Sequence, residues 1–178
     1  MAANPLLTLP PRPAPDDPSV ADCRRLVDPA VRAQLDDFRL DEVVSHLLRR
    51  AHFLAEECFS REFAGEAITP RQKAALIVVY QQPGINQNGL ADRLMMDRNT
   101  VADMVRRLVA AGVLHRVVAW DDQRAYQLFL TAAGADLLNR VMPRDTAVED
   151  RVLARLPAEY RPLFMRCLRL LADVTAER

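Results

Sequence analysis

Arg98, Asn99, Thr100, Asp103 and Arg106 stand close together, at spacings that place them on the outer side of one helix. These side chains can read nucleic-acid bases: arginine pairs bidentately with guanine, asparagine pairs with adenine, and a threonine methyl touches thymine. Val101, Val105 and Leu108 recur at i, i+4 and i+7 and would take the inner face of the same helix. Farther along, Arg116, Asp122 and Arg124 form a second polar group, with Trp120 beside it. Asn86 and Gln87 open the segment before, where a capped helix start offers unpaired backbone N–H groups to phosphate. Any one of these residues, taken alone, reads better as part of a solvated face. The joint pattern carries the implication of DNA binding.

A different chemistry is available in Ser45-His46-Leu47-Leu48-Arg49-Arg50-Ala51-His52-Phe53. His46, Arg49, Arg50, His52 and Phe53, with Trp120, are candidates to hold a small aromatic carboxylate. An arginine offers a planar fork to the carboxylate, and a mostly apolar cleft holds the ring. The competing reading makes Arg49 and Arg50 surface or inter-subunit ion-pair residues and the histidines structural.

The elements that must position these groups follow from periodicity and capping. A helix is expected around 21–35, broken near Pro29. An amphipathic helix is expected over 36–63, with Val43, Leu47, Leu48, Phe53, Leu54 and Phe59 on one side. Thr69-Pro70 reads as an N-cap and first helical position for a helix that stops at Pro83-Gly84. Asn86 caps a short helix carrying Leu90, Ala91 and Leu94 inward. Gly89 inside it costs up to ~1 kcal/mol relative to alanine, so this helix must lean on tertiary packing. Asp97 caps the next helix, and Gly112 sits where a left-handed C-terminal residue is wanted. The period then changes to that of strands: 113–118 and 125–130 flank Asp121-Asp122-Gln123 as a hairpin. Thr131 caps a helix that Pro143 should kink or interrupt. A last helix over about 157–174 is apolar along Leu163, Phe164, Cys167, Leu170, Leu171 and Val174. A short helix, a turn, a second helix and a hairpin make a winged helix-turn-helix, in a mainly α fold with a small β wing.

Composition limits the alternatives. The 178 residues carry 24 basic and 24 acidic side chains, so no global field attracts nucleic acid. Locally the balance differs: from Arg98 to Arg124 five arginines face three aspartates, a net of plus two. Three distant cysteines, Cys23, Cys58 and Cys167, give neither a zinc spacing nor a disulfide framework. No Gly-rich phosphate loop, GxSxG or HExxH is present, so neither an enzyme nor a cofactor or metal site is expected. Residues 1–19 hold six of the twelve prolines and read as an extended tail. The start lacks the features of a signal peptide, and no apolar run approaches the ~20 residues of a membrane span, so a cytoplasmic protein is expected.

The run GINQNGLADRLMMDRNTVADMVRRLVAAGVLHRVVAWDDQRAYQLFLTAAG resembles the MarR family of bacterial transcriptional regulators. The matching residues are Leu90, Ala91, Leu94, Asp97, Thr100, Val101, Val105, Arg107, Leu108, Gly112, Arg116, Asp122, Arg124, Leu130, Thr131 and Gly134. The likeness covers about 40–174. It implies that Arg124 is a wing-tip arginine for the minor groove, and that Asp122 holds the wing by pairing with a nearby arginine. Gln123, where a second basic residue is common, and Trp120, where a smaller one is usual, depart from the pattern. The resemblance further implies a homodimer built from 36–63 and 145–178, a winged domain over 64–144 and a Pro-rich extension over 1–35. It also implies repression at a palindromic operator, and release by a small effector. The LLRRAH stretch followed by ITPRQ looks most like relatives that control breakdown of aromatic acids, so an aromatic carboxylate or its thioester is the expected effector. A thiol-based redox regulator of the same fold and a winged-helix protein-interaction module are the alternatives.

Overall fold

The computed structural model describes residues 24–118 and 126–172. The chain divides after Leu48 into two units. In the first, Asp28 caps helix α1 (Pro29–Asp37) by accepting from the Ala30 N–H at 2.8 Å, with Pro29 at the first helical turn. The expected break near Pro29 therefore falls just before it, and the proline opens a helix. The single helix expected over 36–63 is not formed. Phe38 and Val43 take extended backbone, with ψ 122° and 117°, on either side of a 3-10 turn at Leu40–Glu42. Helix α2 (Val44–Glu62) starts only after them. Two helices in succession can carry the same apolar spacing, so periodicity had no means of registering the interruption.

In the second unit the end of α2 buries Cys58 and Phe59, followed by Phe63, and the two phenylalanine rings lie 4.6 Å apart. Helix α3 (Pro70–Gln81) begins with a full capping box. The Gln72 N–H donates to Thr69 Oγ1 at 3.3 Å, and the Thr69 N–H donates to Gln72 Oε1 at 2.9 Å. Helix α4 (Gln87–Leu94) ends on Met95, which is 89% exposed and holds a left-handed φ of 51°. Helix α5 (Arg98–Ala110) follows and stops before Gly112, whose φ of 72° is the left-handed value expected of it. Strands β1 (Leu114–Val118) and β2 (Tyr126–Leu130) pair antiparallel, with Leu114 opposite Leu130 and Val118 opposite Tyr126. Only Leu114 and Leu128 of the pair are fully buried. The hairpin is also tied to the segment before α4: the Gly84 N–H donates to the Leu128 carbonyl at 2.9 Å, and the Leu128 N–H to the Ile85 carbonyl at 3.0 Å. This is a winged helix-turn-helix in a mainly helical chain.

Thr131 caps helix α6 (Ala132–Val141), accepting from the Gly134 N–H at 3.1 Å and donating to the Gly112 carbonyl at 2.6 Å. Pro143 sits in a 3-10 turn, Met142–Arg144, that separates α6 from helix α7 (Asp145–Leu153), as a proline at that point requires. A further 3-10 turn leads to helix α8 (Arg161–Leu171), which buries no residue in the single chain. The second unit's core joins Leu76, Val79, Leu90, Val101, Val105, Leu114, Leu128 and Val141.

Charged side chains link the end of α2 to the α6–α7 junction. Glu62 accepts from Arg144 at 3.0 Å and pairs with Arg151 at 2.7 Å, while Glu66 pairs with Arg140 at 3.3 Å. The hydrogen bond from Arg144, aided by the charge of Arg151, holds the Glu62 carboxyl below its ordinary 4.5. A depressed carboxylate stabilises the fold fully above its unfolded value, and loses that contribution as pH falls through the folded one. Glu62→Gln is therefore expected to lower the melting temperature at neutral pH. The gap to the parent should close on acidification below pH 4.5. A gap that stays constant from pH 7 to pH 3 would contradict this.

Candidate nucleic-acid interface

The outer face of α5 is defined by what its inner face consumes. Val101, Met104, Val105 and Leu108 are buried. Arg98, Asn99, Thr100 and Arg106 are exposed, and Asp103 is half-buried. The start of the helix is fixed by Asp97, whose Oδ1 accepts from the Thr100 N–H at 2.8 Å. The Thr100 hydroxyl and N–H together hold the Asp97 carboxyl below its ordinary 3.8. Asp97 is thus a charged cap engaged with both the hydroxyl and the N–H of Thr100.

Asp103 does more than face outward. Its Oδ1 accepts from Arg106 Nη2, and its Oδ2 lies 2.7 Å from Arg107 Nη2. Arg106 first, then Arg107, holds the Asp103 carboxyl below its ordinary 3.8. Arg107 was not among the residues singled out as contacts. The i, i+3 and i, i+4 spacing to Asp103 was the signal that could have found the pairing.

Asn86 spends its side chain on capping α4, accepting from the Gly89 N–H at 2.8 Å, and bridges to Gln127 of β2. Gln87 is the first residue of α4 and half-buried. On β1, Arg116 is exposed, and its guanidinium carbon lies 4.8 Å from the ring centre of Tyr126, a cation–π arrangement that steers the side chain along the wing. Tyr126 was not anticipated as a partner. Asp122, Arg124, Gln123 and Trp120 lie outside the described residues.

The candidate effector residues fall on α2. His46 is half-buried, whereas Arg49, Arg50, His52 and Phe53 are exposed. His52 Nε2 stands 3.4 Å from Glu56, with its ring 6.2 Å from that of Phe53. A separate cleft of about 430 Å³ opens between α3, the end of β2 and α6. Ile77, Tyr80, Leu130, Leu138 and Met142 supply its apolar surface, with Gln81 and Asn139 as amides at its wall. None of the five residues on α2 lines it. Cys58 is buried and Cys167 exposed, while Cys23 lies outside the described residues. Among the described residues no group of three or more His, Cys, Asp or Glu side chains could hold a metal ion, and no helix is long and apolar enough to cross a membrane.

The sequence model of the MarR family matches residues 68–126, the span from just before α3 through β1 to the first residue of β2. The transcriptional regulator HosA of Escherichia coli is 31% identical over 102 residues, which are 57% of this chain and 76% of HosA. The crystal structure of the PcaV transcriptional regulator of Streptomyces coelicolor, in complex with its natural ligand, is similar at TM-score 0.67. It is 28% identical, and the match covers 77% of this chain and 96% of PcaV. The transcriptional repressor CouR, bound to a 23-mer DNA duplex, is similar at TM-score 0.69. It is 29% identical, and the match covers 75% of this chain and 94% of CouR.

Proposed function

This chain belongs to the MarR family of transcriptional regulators, and we propose that it is a repressor that binds a palindromic operator as a homodimer and is released by a small aromatic carboxylate or its thioester. The observation that carries the DNA-binding part is the division of α5. Four buried apolar residues anchor one face, and the other presents Arg98, Asn99, Thr100, Asp103 and Arg106 behind a capped start. Asn86 and Gln87 at the start of α4 and Arg116 on β1 are proposed to meet the backbone. Arg124 is proposed to enter the minor groove, with Asp122 holding the wing by pairing with a nearby arginine.

A second copy is the cover we propose for apolar side chains that a single chain leaves in water. They are Val44, Leu47 and Leu48 in the first unit, and Phe53, Leu163, Leu170 and Leu171 in the second. For the effector, the support is chemical. Arg49 and Arg50 make no hydrogen bond or ion pair with a described residue and are available to a carboxylate, with His46, His52, Phe53 and Trp120 as the accompanying candidates. The cleft beside α3 and α6 has the size and apolar surface of a small-molecule site and is the second place for the ring. That relatives include a repressor on DNA and a regulator with its natural ligand agrees with this reading.

The test is a mobility-shift titration on duplexes selected from random sequence by the protein itself. The affinity is expected to fall on the order of a hundredfold between about 50 and 200 mM salt. Arg98→Ala and Arg124→Ala should each weaken binding about tenfold or more, the worth of one lost arginine contact per subunit. Benzoate-class acids should raise the melting temperature and release the duplex, less so in Arg49→Ala/Arg50→Ala. Absence of salt-dependent duplex binding would reject the regulator reading, whereas normal DNA binding indifferent to every aromatic acid would reject only the effector.

A further inference from the structure

The acidic residue on the exposed face of α5 is unexpected for a surface meant to approach phosphate. Asp103 places one carboxylate in the middle of the face, and each of its oxygens is taken by a different arginine, Oδ1 by Arg106 and Oδ2 by Arg107. The trio carries a net charge of plus one, where the arginines alone would carry plus two. Both arginines are held through a single terminal nitrogen, Nη2, which leaves the rest of each guanidinium fork free to donate. Their side chains are 73% and 70% exposed, and the carboxylate itself is 40% exposed, so the pairing is solvated and exchangeable.

Resting on the DNA-binding reading above, we propose that Asp103 is a specificity-determining residue: it holds Arg106 and Arg107 in one direction and so favours a duplex seated in one register over any other. Two effects act in the same sense. By offsetting one of the two arginine charges it holds, the carboxylate weakens their pull on phosphate, which weighs most on non-cognate duplex, whose binding is almost wholly electrostatic. The restraint on the arginines is repaid only where the duplex brings its acceptors to the place where they are held. A loosely docked, shifted duplex must draw the arginines away from Asp103, which competes with it for them. Contacts of this kind position a protein on DNA, so fixing their direction fixes where the base-reading residues ahead of them, Arg98 and Asn99, fall.

Asp103→Asn removes the charge and one of the two acceptors, so that both arginines can no longer be held at once, while keeping the shape. Binding of the purified full-length variant is measured against the duplex selected by the parent protein and against a scrambled duplex of equal length, with thermal melting to verify that both proteins are folded. Affinity for the scrambled duplex is expected to rise about two- to fivefold, the scale of two exposed ion pairs, with a steeper salt dependence. Affinity for the selected duplex should stay level or fall, so the ratio between them drops. The same substitution in an Arg106→Ala/Arg107→Ala background should leave the ratio unmoved. The proposal is overturned if the two duplexes gain equally, or if the ratio still shifts without the arginines, since Asp103 would then act on DNA by itself. If the parent protein selects no sequence at all, it is the DNA-binding reading that fails.

Discussion

Gly134→Ala is expected to destabilise the protein by roughly 3 kcal/mol, although alanine is the better helix former by about 1 kcal/mol. Gly134 lies in the first turn of α6, where the helix presses on the chain leaving α5. A Cβ there would stand 2.1 Å from the Val113 carbonyl oxygen, 3.1 Å from its carbon and 3.2 Å from Leu130 Cδ2. The nearest obstacle is backbone, so no rotamer relieves it. Nor can α6 simply retreat. The Val113 carbonyl accepts from the Thr131 N–H at 3.2 Å, and Thr131 in turn holds the Gly112 carbonyl at 2.6 Å. Moving the helix out breaks both bonds at the root of the wing. Urea unfolding should show a lower midpoint at unchanged slope, and the melting temperature should fall by about 6–12 °C for a chain of this size. A variant as stable as its parent would show that the close approach is absent in solution.

The second large effect is expected at Lys73. Its side chain is 12% exposed, and its ammonium pairs with Asp145 at the first turn of α7 and lies 5.3 and 5.7 Å from the ring centres of Phe59 and Phe63. Breaking a buried pair by removing one partner costs about 3–5 kcal/mol, because the other charge is stranded. Asp145 is 28% exposed and water relieves part of that, so Lys73→Met should cost roughly 2 kcal/mol. Asp145→Leu should cost about as much, since it strands the ammonium against two rings and removes an acid from the start of α7. The double variant Lys73→Met/Asp145→Leu should recover at least half of the summed loss, because methionine packs on the same rings and no charge is left behind. Denaturant unfolding of the four proteins closes this cycle. Strict additivity would mean that the pair is not coupled as its position implies.

What could be read from the chain was what is local to it. Thr69, Asn86, Asp97 and Thr131 each accept the N–H three residues on, a bond that sequence alone specifies, and Gly112 takes the backbone angle its position demands. Pro143 interrupts where a proline must. The interruption between Phe38 and Val43 carries no proline or glycine and could not be foreseen. Gly134 was visible as part of a pattern, but its reason, a carbonyl 21 positions earlier in the chain, was not. The ion pairs of Glu62 and Glu66 with Arg140, Arg144 and Arg151 join residues about 75 to 90 positions apart, a distance over which spacing says nothing. On the candidate interface the outward residues of α5 were legible from the buried stripe. Asp103 was read there as one more base contact, and its partners emerged only with the side chains in place.

The strip formed by Gly84–Asn86 against β2 bears on how α5 and the wing move. Leu128 accepts from the Gly84 N–H and donates to the Ile85 carbonyl, and Asn86, bridged to Gln127, is also the cap of α4. In mechanical terms the wing is a cantilever whose clamp is the first residue of the helix-turn-helix. A torque on β2 is delivered to the start of α4, and through the packed pair to α5, with no slack joint between them. Helix and wing therefore grip or release as a single jaw.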